Sequence, residues 1–374
     1  MSLEVALRLR LQSFELAASF SAGPGITALF GRSGAGKTTL VNAIAGLVRP
    51  DSGRICVDGR TLFDDAAGID VACHRRRVGY VFQEGRLFPH LTVRQNLLYG
   101  SWFRGRRFRL GSFDQVVELL GIAALLNRRP ASLSGGEKQR VAIGRAILSD
   151  PAILLMDEPL ASLDETRKGE ILPYLERLRD ELKLPILYVS HSIPEVVRLA
   201  TTMIVLSEGK VMAAGPVAEV MGRPDLFPAT GRYESGAVLE AAVVAHDEVF
   251  GLTELETAGG ILRVPRLDNP IGSRLRVLIR ARDVMIATER PTQISALNIL
   301  AGRIAALQDD GRPIGEATIT VGDATLQARV TRRSMSQLGL APGRAVFAVV
   351  KTVAIDHKSF GQFPSRPGDR AEEV

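Results

Sequence analysis

The 374-residue sequence predicts an α/β domain built around a phosphate loop and interrupted by a helical insert, followed by a smaller all-β domain. Three observations predict it. Gly31-Arg32-Ser33-Gly34-Ala35-Gly36-Lys37-Thr38 fits G-x-x-x-x-G-K-[ST] and lies between a buried-strand run at 26–30 and a helical run at 39–44. Two further apolar strands, at 153–156 and 185–189, run into polar residues, as central parallel strands do where a ligand binds. From Gly222 onward the helical periodicity gives way to β-type runs separated by glycine turns.

Composition narrows the class. A chain of this length exceeds one ordinary core and predicts two or more domains. Hydrophobic residues at 46% and charged residues at 24% are those of a soluble globular protein. No apolar run reaches the ~20 residues of a membrane span, and the first residues carry no secretory signal. Two cysteines, Cys56 and Cys73, exclude a disulfide framework and a cysteine metal cluster, so free thiols are expected. The net charge is +6, with local runs at Arg75-Arg76-Arg77 and Arg104-Gly105-Arg106-Arg107. These read as a solvated face, with an anionic membrane surface as the alternative. Nucleic acid is not expected, because no aromatic stacking platform accompanies the arginines.

Taken in order, residues 3–11 alternate as a half-buried strand. Phe14 and Phe20 follow; one of them suits stacking on an adenine, although core packing is the expectation for both. In the phosphate loop the glycines let successive N–H groups point at phosphate oxygens, and the following helix adds its N-terminal partial charge. Lys37 is placed to reach the β- and γ-phosphates and Thr38 to hold Mg²⁺. A strand and turn at 54–59 and a short strand at 78–82 follow, the latter delivering Gln83 to its carboxyl end. Residues 84–150 read as a helical insert. It closes on Leu133-Ser134-Gly135-Gly136-Glu137, either a capping box alone or also a second phosphate-binding helix N-terminus. Asp157 and Glu158 stand at the end of an apolar strand, where one acid serves Mg²⁺ and its neighbour polarises an attacking water. Ser162-Leu163-Asp164 caps a helix with an apolar stripe from Ile171 to Leu182, and Pro173 is expected to kink that helix or restrict its start. The next strand ends at His191, a γ-phosphate contact. An edge hairpin turns at Ser207-Glu208-Gly209, and 222–231 reads as a linker. Residues 272–286 and 343–355 resemble each other, each with a strand, a basic residue, then valine and isoleucine two apart, which suggests two small β-barrels. The polar, Pro/Gly-rich tail reads as disordered.

With these stretches placed, residues 1–230 resemble the ATPase subunit of an ABC transporter, a P-loop NTPase. The resemblance implies ATP and Mg²⁺ as cofactors. It implies nucleotide contacts from Gly31, Arg32, Ser33, Gly34, Ala35, Gly36, Lys37, Thr38 and Thr39, and, from a second copy, Ser134, Gly135, Gly136, Glu137 and Asp164. Thr38, Gln83 and Asp157 would serve the metal; Glu158, His191 and Gln83 would serve catalysis. Residues 231–290 are expected to be linker and part of a β-barrel. Thr292-Gln293-Ile294-Ser295-Ala296-Leu297-Asn298 and Thr331-Arg332-Arg333-Ser334 make 291–357 similar to a molybdate-binding (Mop) domain with an OB-like barrel, leaving 358–374 as the disordered tail. Ser295, Asn298, Arg332, Arg333, Ser334 and Lys351 are its candidate oxyanion donors. The run from Arg75 to His90 is also similar to the molybdate-import ATPases.

That family implies a homodimer of ATPase subunits on the cytoplasmic face of the bacterial inner membrane, peripheral to it. Its partners would be two copies of a permease and, through them, a periplasmic oxyanion-binding protein, with a regulatory molybdate on the C-terminal domain. Alternatives are the same motor for tungstate, sulfate or another oxyanion; a soluble ABC-type ATPase working on ribosomes or DNA, which usually has two cassettes or a coiled-coil insert; and a molybdate sensor or storage protein, which has no need of Asp157 and Glu158.

Overall fold

The structure is a computed structural model describing residues 2–11, 14–100, 112–182, 184–223, 226, 236–309, 311, 313–355 and 360–362. The arginine run at 104–107 and most of the linker at 222–231 lie outside the described residues. The chain forms two compact units. One holds residues up to Ser192 together with Leu199–Ala214; the other holds Ile193–Arg198 and the described residues from Gly215 onward.

The strands of the first unit are β1 (Leu3–Leu11), β2 (Phe14–Ala22), β3 (Gly25–Phe30), β4 (Ser52–Val57), β5 (Arg60–Asp64), β6 (Ile69–Asp70), β7 (Val78–Val81), β8 (Ile153–Asp157), β9 (Pro185–Ser190), β10 (Thr202–Ser207) and β11 (Lys210–Pro216). They form one sheet in the order β6-β5-β4-β1-β2-β11-β10-β3-β9-β8-β7. In β1, Leu3, Val5, Leu7 and Leu9 are buried and their neighbours exposed, the alternation of an antiparallel strand with one wet face. Strands β8 and β9 are buried at every position, which is why their sequences are unbroken apolar runs. Parallel pairing aligns Phe30 with Ser190, Asp157 with Val189 and Val81 with Met156. The chain therefore leaves β3, β7, β8 and β9 at one sheet edge, delivering Gly31, Gln83, Glu158 and His191 there.

The hairpin turning at Ser207-Glu208-Gly209 is not at an edge. Strand β10 pairs with β3 and β11 with β2, so the hairpin joins the antiparallel and parallel parts of the sheet. Its apolar residues 203–206 are all buried, as a central strand requires.

The described helices of this unit include α1 (Lys37–Ala45), α2 (Val93–Leu98), α3 (Phe113–Leu119), α4 (Gly135–Leu148) and α5 (Glu165–Glu181). Helices α2, α3 and α4 each open with a capping box, set by Thr92/Gln95, Ser112/Gln115 and Ser134/Glu137. Gly144 lets α4 pack closely: a Cβ there would lie 2.8 Å from Leu97 and 3.0 Å from Leu120. Pro173 sits inside α5, which runs on through it. Pro173 and Gly169, whose carbonyl loses its partner, are both on the exposed side, so water can satisfy that group.

Arg76 overturns the solvated-face reading of its run. It is 1% exposed and donates to Ala43 O, Ile44 O and Val71 O at 2.7–3.0 Å, with Asp70 at 2.9 Å. Arg77 is held by Asp150 at 2.9 Å. Only Arg75 in this run is exposed.

The second unit contains β12 (Gly236–Asp247), β13 (Leu252–Thr257), β14 (Gly260–Pro265), β15 (Arg274–Arg280), β16 (Val284–Ala287), β17 (Asn298–Gln308), β18 (Ile314–Val321), β19 (Ala324–Thr331), β20 (Ala345–Val350) and β21 (Phe360–Gln362). These make two five-stranded sheets, β14-β13-β12-β15-β21 and β16-β20-β17-β18-β19, whose apolar faces share one core. The two similar stretches adopt the same form: β15 and β20 each run into a single 3-10 turn, Ala281–Asp283 and Thr352–Ala354. Helix is not wholly absent here, since Arg332–Gln337 forms a short one capped by Thr331. The tail is ordered at Phe360–Gln362, which pairs with Leu275, Arg276 and Val277.

Candidate active site

The loop 31–36 closes between β3 and α1. Gly31 has no room for a side chain, since a Cβ would lie 2.3 Å from Leu206 O. Gly36 caps α1 at φ 100°, a conformation glycine adopts without strain. No side chain caps α1 and no acid stands in its first turn, so no side chain occupies its leading N–H groups. Arg32 and Ser33 are exposed, Ala35 is buried and Thr39 half-buried. The Phe14 ring packs on this loop: a Cβ at Gly36 would meet Phe14 Cζ at 2.7 Å. Phe20 is a core residue, as expected.

Lys37 is 5% exposed. Its Nζ donates to Gly31 O at 2.8 Å and Arg32 O at 3.0 Å and lies 3.6 Å from Glu158 Oε1. These bonds hold the ammonium at the loop that surrounds it. Thr38 Oγ1 donates to Asp157 Oδ1 at 3.2 Å, joining the end of the loop to the end of β8. Burial pushes the Asp157 carboxyl above the usual carboxylate range; the Thr38 hydrogen bond pulls the other way.

Glu158 takes φ 45°, which is uncommon for a residue with a side chain. Its amide donates to Val189 O at 3.1 Å and its carbonyl accepts from Ala161 N at 3.1 Å. His191 Nδ1 stands 3.3 Å from Glu158 Oε1, on a side chain that is 56% exposed. Lys37, Thr38, Asp157, Glu158 and His191 are thus joined in one group.

Gln83 is exposed at the edge beyond β7, two residues past the Val81–Met156 pair, and makes none of these bonds. Ser134 and Glu137 bond to each other, at 3.2 and 2.7 Å, and the backbone bond from Ser134 holds the Glu137 carboxyl below its ordinary range. Gly136 is buried beneath them and Gly135 half-buried. Asp164 accepts from Arg167 N at 2.9 Å as the cap of α5. Within one chain, none of these hydrogen bonds reaches the phosphate loop.

One side chain was missed by sequence reasoning. Tyr80 on β7 lies 3.0 Å from Asn42 Oδ1 and 3.4 Å from Asp157 Oδ2. Its buried hydroxyl is pushed well above the ordinary tyrosine range, by burial first and by Asp157 next. An aromatic between two strand valines carries no signal except core packing.

Three of the C-terminal donors have partners of their own. Asn298 is buried and spends its amide on Arg263, accepting from N at 2.6 Å and donating to O at 3.0 Å. Arg332 donates to Asp309 and Gly311, and Ser334 bonds to Thr331. Ser295, Arg333 and Lys351 are exposed.

Comparison with known proteins agrees with this geometry. Residues 16–161 match the ABC transporter family and residues 294–356 match the TOBE domain. The chain is 58% identical to the molybdenum import ATP-binding protein ModC of Mesorhizobium japonicum, covering 96% of this chain and 98% of that one. It is 54% identical to the ModC of Rhizobium meliloti, covering 96% and 100%. Among solved structures, cbiO1 of Clostridium perfringens, part of the ABC transporter complex cbiONQ, matches with TM-score 0.50 and 28% identity, over 60% of this chain and 92% of that one. A phosphate loop tied to a buried aspartate, a glutamate and histidine beside it, and near full-length similarity to these relatives lead to one assignment: the chain belongs to the molybdenum import ATP-binding protein family, the ATP-binding ABC transporter ATPases that carry a C-terminal TOBE domain.

Proposed function

We propose that this chain hydrolyses ATP to drive molybdate import. The observation that carries the hydrolytic half is the meeting of Thr38 with Asp157, and of Lys37 and His191 with Glu158, at one sheet edge. The ModC relatives support molybdate as the cargo.

The N–H groups of α1 and the Lys37 ammonium take the β- and γ-phosphates. Glu158 accepts a proton from the water that attacks the γ-phosphorus, as the bond to the ADP oxygen breaks. His191, against the same carboxylate oxygen, orients Glu158 and contacts the γ-phosphate. The donor set fits Mg²⁺: a hydroxyl and a carboxylate oxygen are hard ligands, and no group of three His, Cys, Asp or Glu among the described residues makes a protein-only cage. Thr38 and Asp157, with Gln83, would hold the ion, which neutralises charge on the phosphates when bound.

Ser134, Gly135, Gly136, Glu137 and Asp164 bond only locally, which suits a role completed by a second copy closing over the nucleotide. No described helix is long and apolar enough to cross a membrane, which accords with a subunit peripheral to the cytoplasmic face of the inner membrane. There it would engage two permease copies and, through them, a periplasmic oxyanion-binding protein. A regulatory molybdate on the C-terminal domain would use Ser295, Arg333 and Lys351.

The test is ATP hydrolysis and uptake in proteoliposomes holding this chain, its permease and its binding protein. Molybdate should be carried in preference to sulfate. Glu158→Gln should bind ATP, dimerise with it in sedimentation and hydrolyse at least 100-fold more slowly, in line with the ~10²–10⁴-fold worth of a general base. Wild-type turnover by that variant would remove Glu158 from the role; sulfate carried in preference to molybdate would overturn the cargo.

A further inference from the structure

Tyr80 has no role in the site as read from the sequence, yet its hydroxyl lies between the two elements that build the site. Asn42 Oδ1, 3.0 Å away, is on α1, the helix of the phosphate loop; Asp157 Oδ2, 3.4 Å away, ends β8. The other Asp157 oxygen is taken by Thr38. Each carboxylate oxygen therefore faces a hydroxyl from a different element, Thr38 on one and, on the other, Tyr80, whose single proton is shared with Asn42. The Tyr80 ring is stacked on Phe82, with centroids 4.1 Å apart and planes 21° apart. The Arg86 guanidinium lies 4.1 Å over the other ring of that stack, Phe82. The segment beyond is tied to α4: Gln139 donates to Phe82 O at 3.4 Å, and Arg145 donates to Gly85 O at 3.1 Å and Arg86 O at 2.9 Å.

We propose that Tyr80 is a positioning residue: its hydroxyl sets the Asp157 carboxylate for the metal–nucleotide complex, and its stack on Phe82 makes that setting follow the segment 82–86. The proposal rests on Asp157 serving Mg²⁺. The phenol has one proton and two acceptors, and hydrogen bonds to charged groups contribute more than neutral ones. A displacement of segment 82–86 moves the ring and shifts that proton between Asn42 and Asp157. The metal site then senses the helical insert through an aromatic pair, by a route that does not need the Gln83 side chain.

The experiment uses the full-length chain as wild type and as Tyr80→Phe, Asn42→Ala and Asp157→Asn. Mn²⁺ binding in the presence of a non-hydrolysable ATP analogue is read by electron paramagnetic resonance, and a fluorescent ATP analogue is titrated in EDTA. Phenylalanine keeps the ring and its stack and removes only the donor. Tyr80→Phe is expected to weaken Mn²⁺ binding on the order of tenfold, with metal-free nucleotide binding unchanged. Asn42→Ala leaves the phenol only Asp157 to donate to, and should bind Mn²⁺ as tightly as wild type or more tightly. Wild-type Mn²⁺ binding by Tyr80→Phe overturns the proposal. So does equal weakening in Tyr80→Phe and Asn42→Ala, which would mark the bond as packing alone; weakening in Asn42→Ala does the same if Tyr80→Phe fails to fold. Asp157→Asn separates the two readings. If it loses Mn²⁺ while Tyr80→Phe does not, only the positioning role fails; if it keeps Mn²⁺, the metal assignment beneath fails as well.

Discussion

Asp157 works against the stability of the fold that holds it. Burial disfavours its charged form and outweighs the hydrogen bonds from Thr38 and Tyr80 and the attraction of Lys37, so its folded pKa is raised. A raised carboxylate means that the folded state binds the proton more readily than the unfolded chain. Stability from this group is therefore gained as pH falls through the folded value toward the unfolded one and is least at neutral pH. Asp157→Asn removes the buried charge and keeps the shape. The thermal midpoint of the phosphate-loop unit should rise, by ~2–4 °C for each ~1 kcal/mol recovered in a unit of roughly 200 residues, while Mg²⁺-dependent nucleotide binding is lost. Scanning fluorimetry at neutral pH checks this, and a lower midpoint would show that the carboxylate is a net stabiliser. Glu137 has the opposite sign: its pKa is depressed by the Ser134 backbone, so its contribution is present above the unfolded value and lost on acidification through the folded one. Lys37, Asp157, Glu158 and His191 were legible in the sequence because each ends a recognisable run. Tyr80 and Arg76 were not, because the partners that define them lie 77 and 33 positions away and leave no local pattern.

At the scale of elements, two arginines tie helices to loops. Arg76 ends α1. Its guanidinium takes the carbonyls of Ala43 and Ile44, and Gly46 must be glycine because a Cβ there would lie 2.5 Å from Arg76 Nε. In Arg76→Met, Ala43 O keeps the Gly46 N–H at 3.1 Å, while Ile44 O, Val71 O and Asp70 lose the guanidinium. Each buried carbonyl left unpaired costs ~1–3 kcal/mol, so the variant should lose on the order of 2 kcal/mol or more. A urea midpoint within error of wild type would show that water replaces the guanidinium. Arg145 fastens α4 to the segment beyond Gln83 through Gly85 O and Arg86 O and lies 5.4 Å over the Phe88 ring. Burial lowers its pKa. Arg145→Ala leaves every group at the phosphate loop in place. The isolated subunit should keep near wild-type hydrolysis, whereas the assembled transporter should lose its cargo-stimulated rate, because the insert no longer carries segment 83–86 with it. Equal loss in both preparations would make Arg145 a structural residue only.

For the whole molecule, the repeat at 272–286 and 343–355 suggested two small β-barrels; the structure has two five-stranded sheets, with strand β15 of the first stretch in one and strand β20 of the second in the other. A repeat shows that two stretches are alike; it does not show what each pairs with. The expected division at 290/291 illustrates the difference. Strand β16, before that point, pairs with β20, after it. Strand β21, near the chain end, pairs with β15. The shared core takes Val243, Leu255, Leu262 and Val277 from one side and Ile304, Ile319, Leu326 and Val350 from the other, all 1% exposed or less. A chain ending at residue 290 would keep β12–β15, lose the covering sheet and expose that apolar face. Each large side chain so uncovered forfeits ~1.5–3 kcal/mol, far more in sum than a typical stability of ~5–15 kcal/mol. The truncated chain should bind a hydrophobic dye and show a single cooperative melting transition, that of the phosphate-loop unit. Full-length protein carrying Arg333→Ala and Lys351→Ala should show neither change, since both residues are exposed. A dye-silent 1–290 chain that retains a sharp second transition would mean that the first sheet folds by itself, and would make 290/291 a true domain boundary.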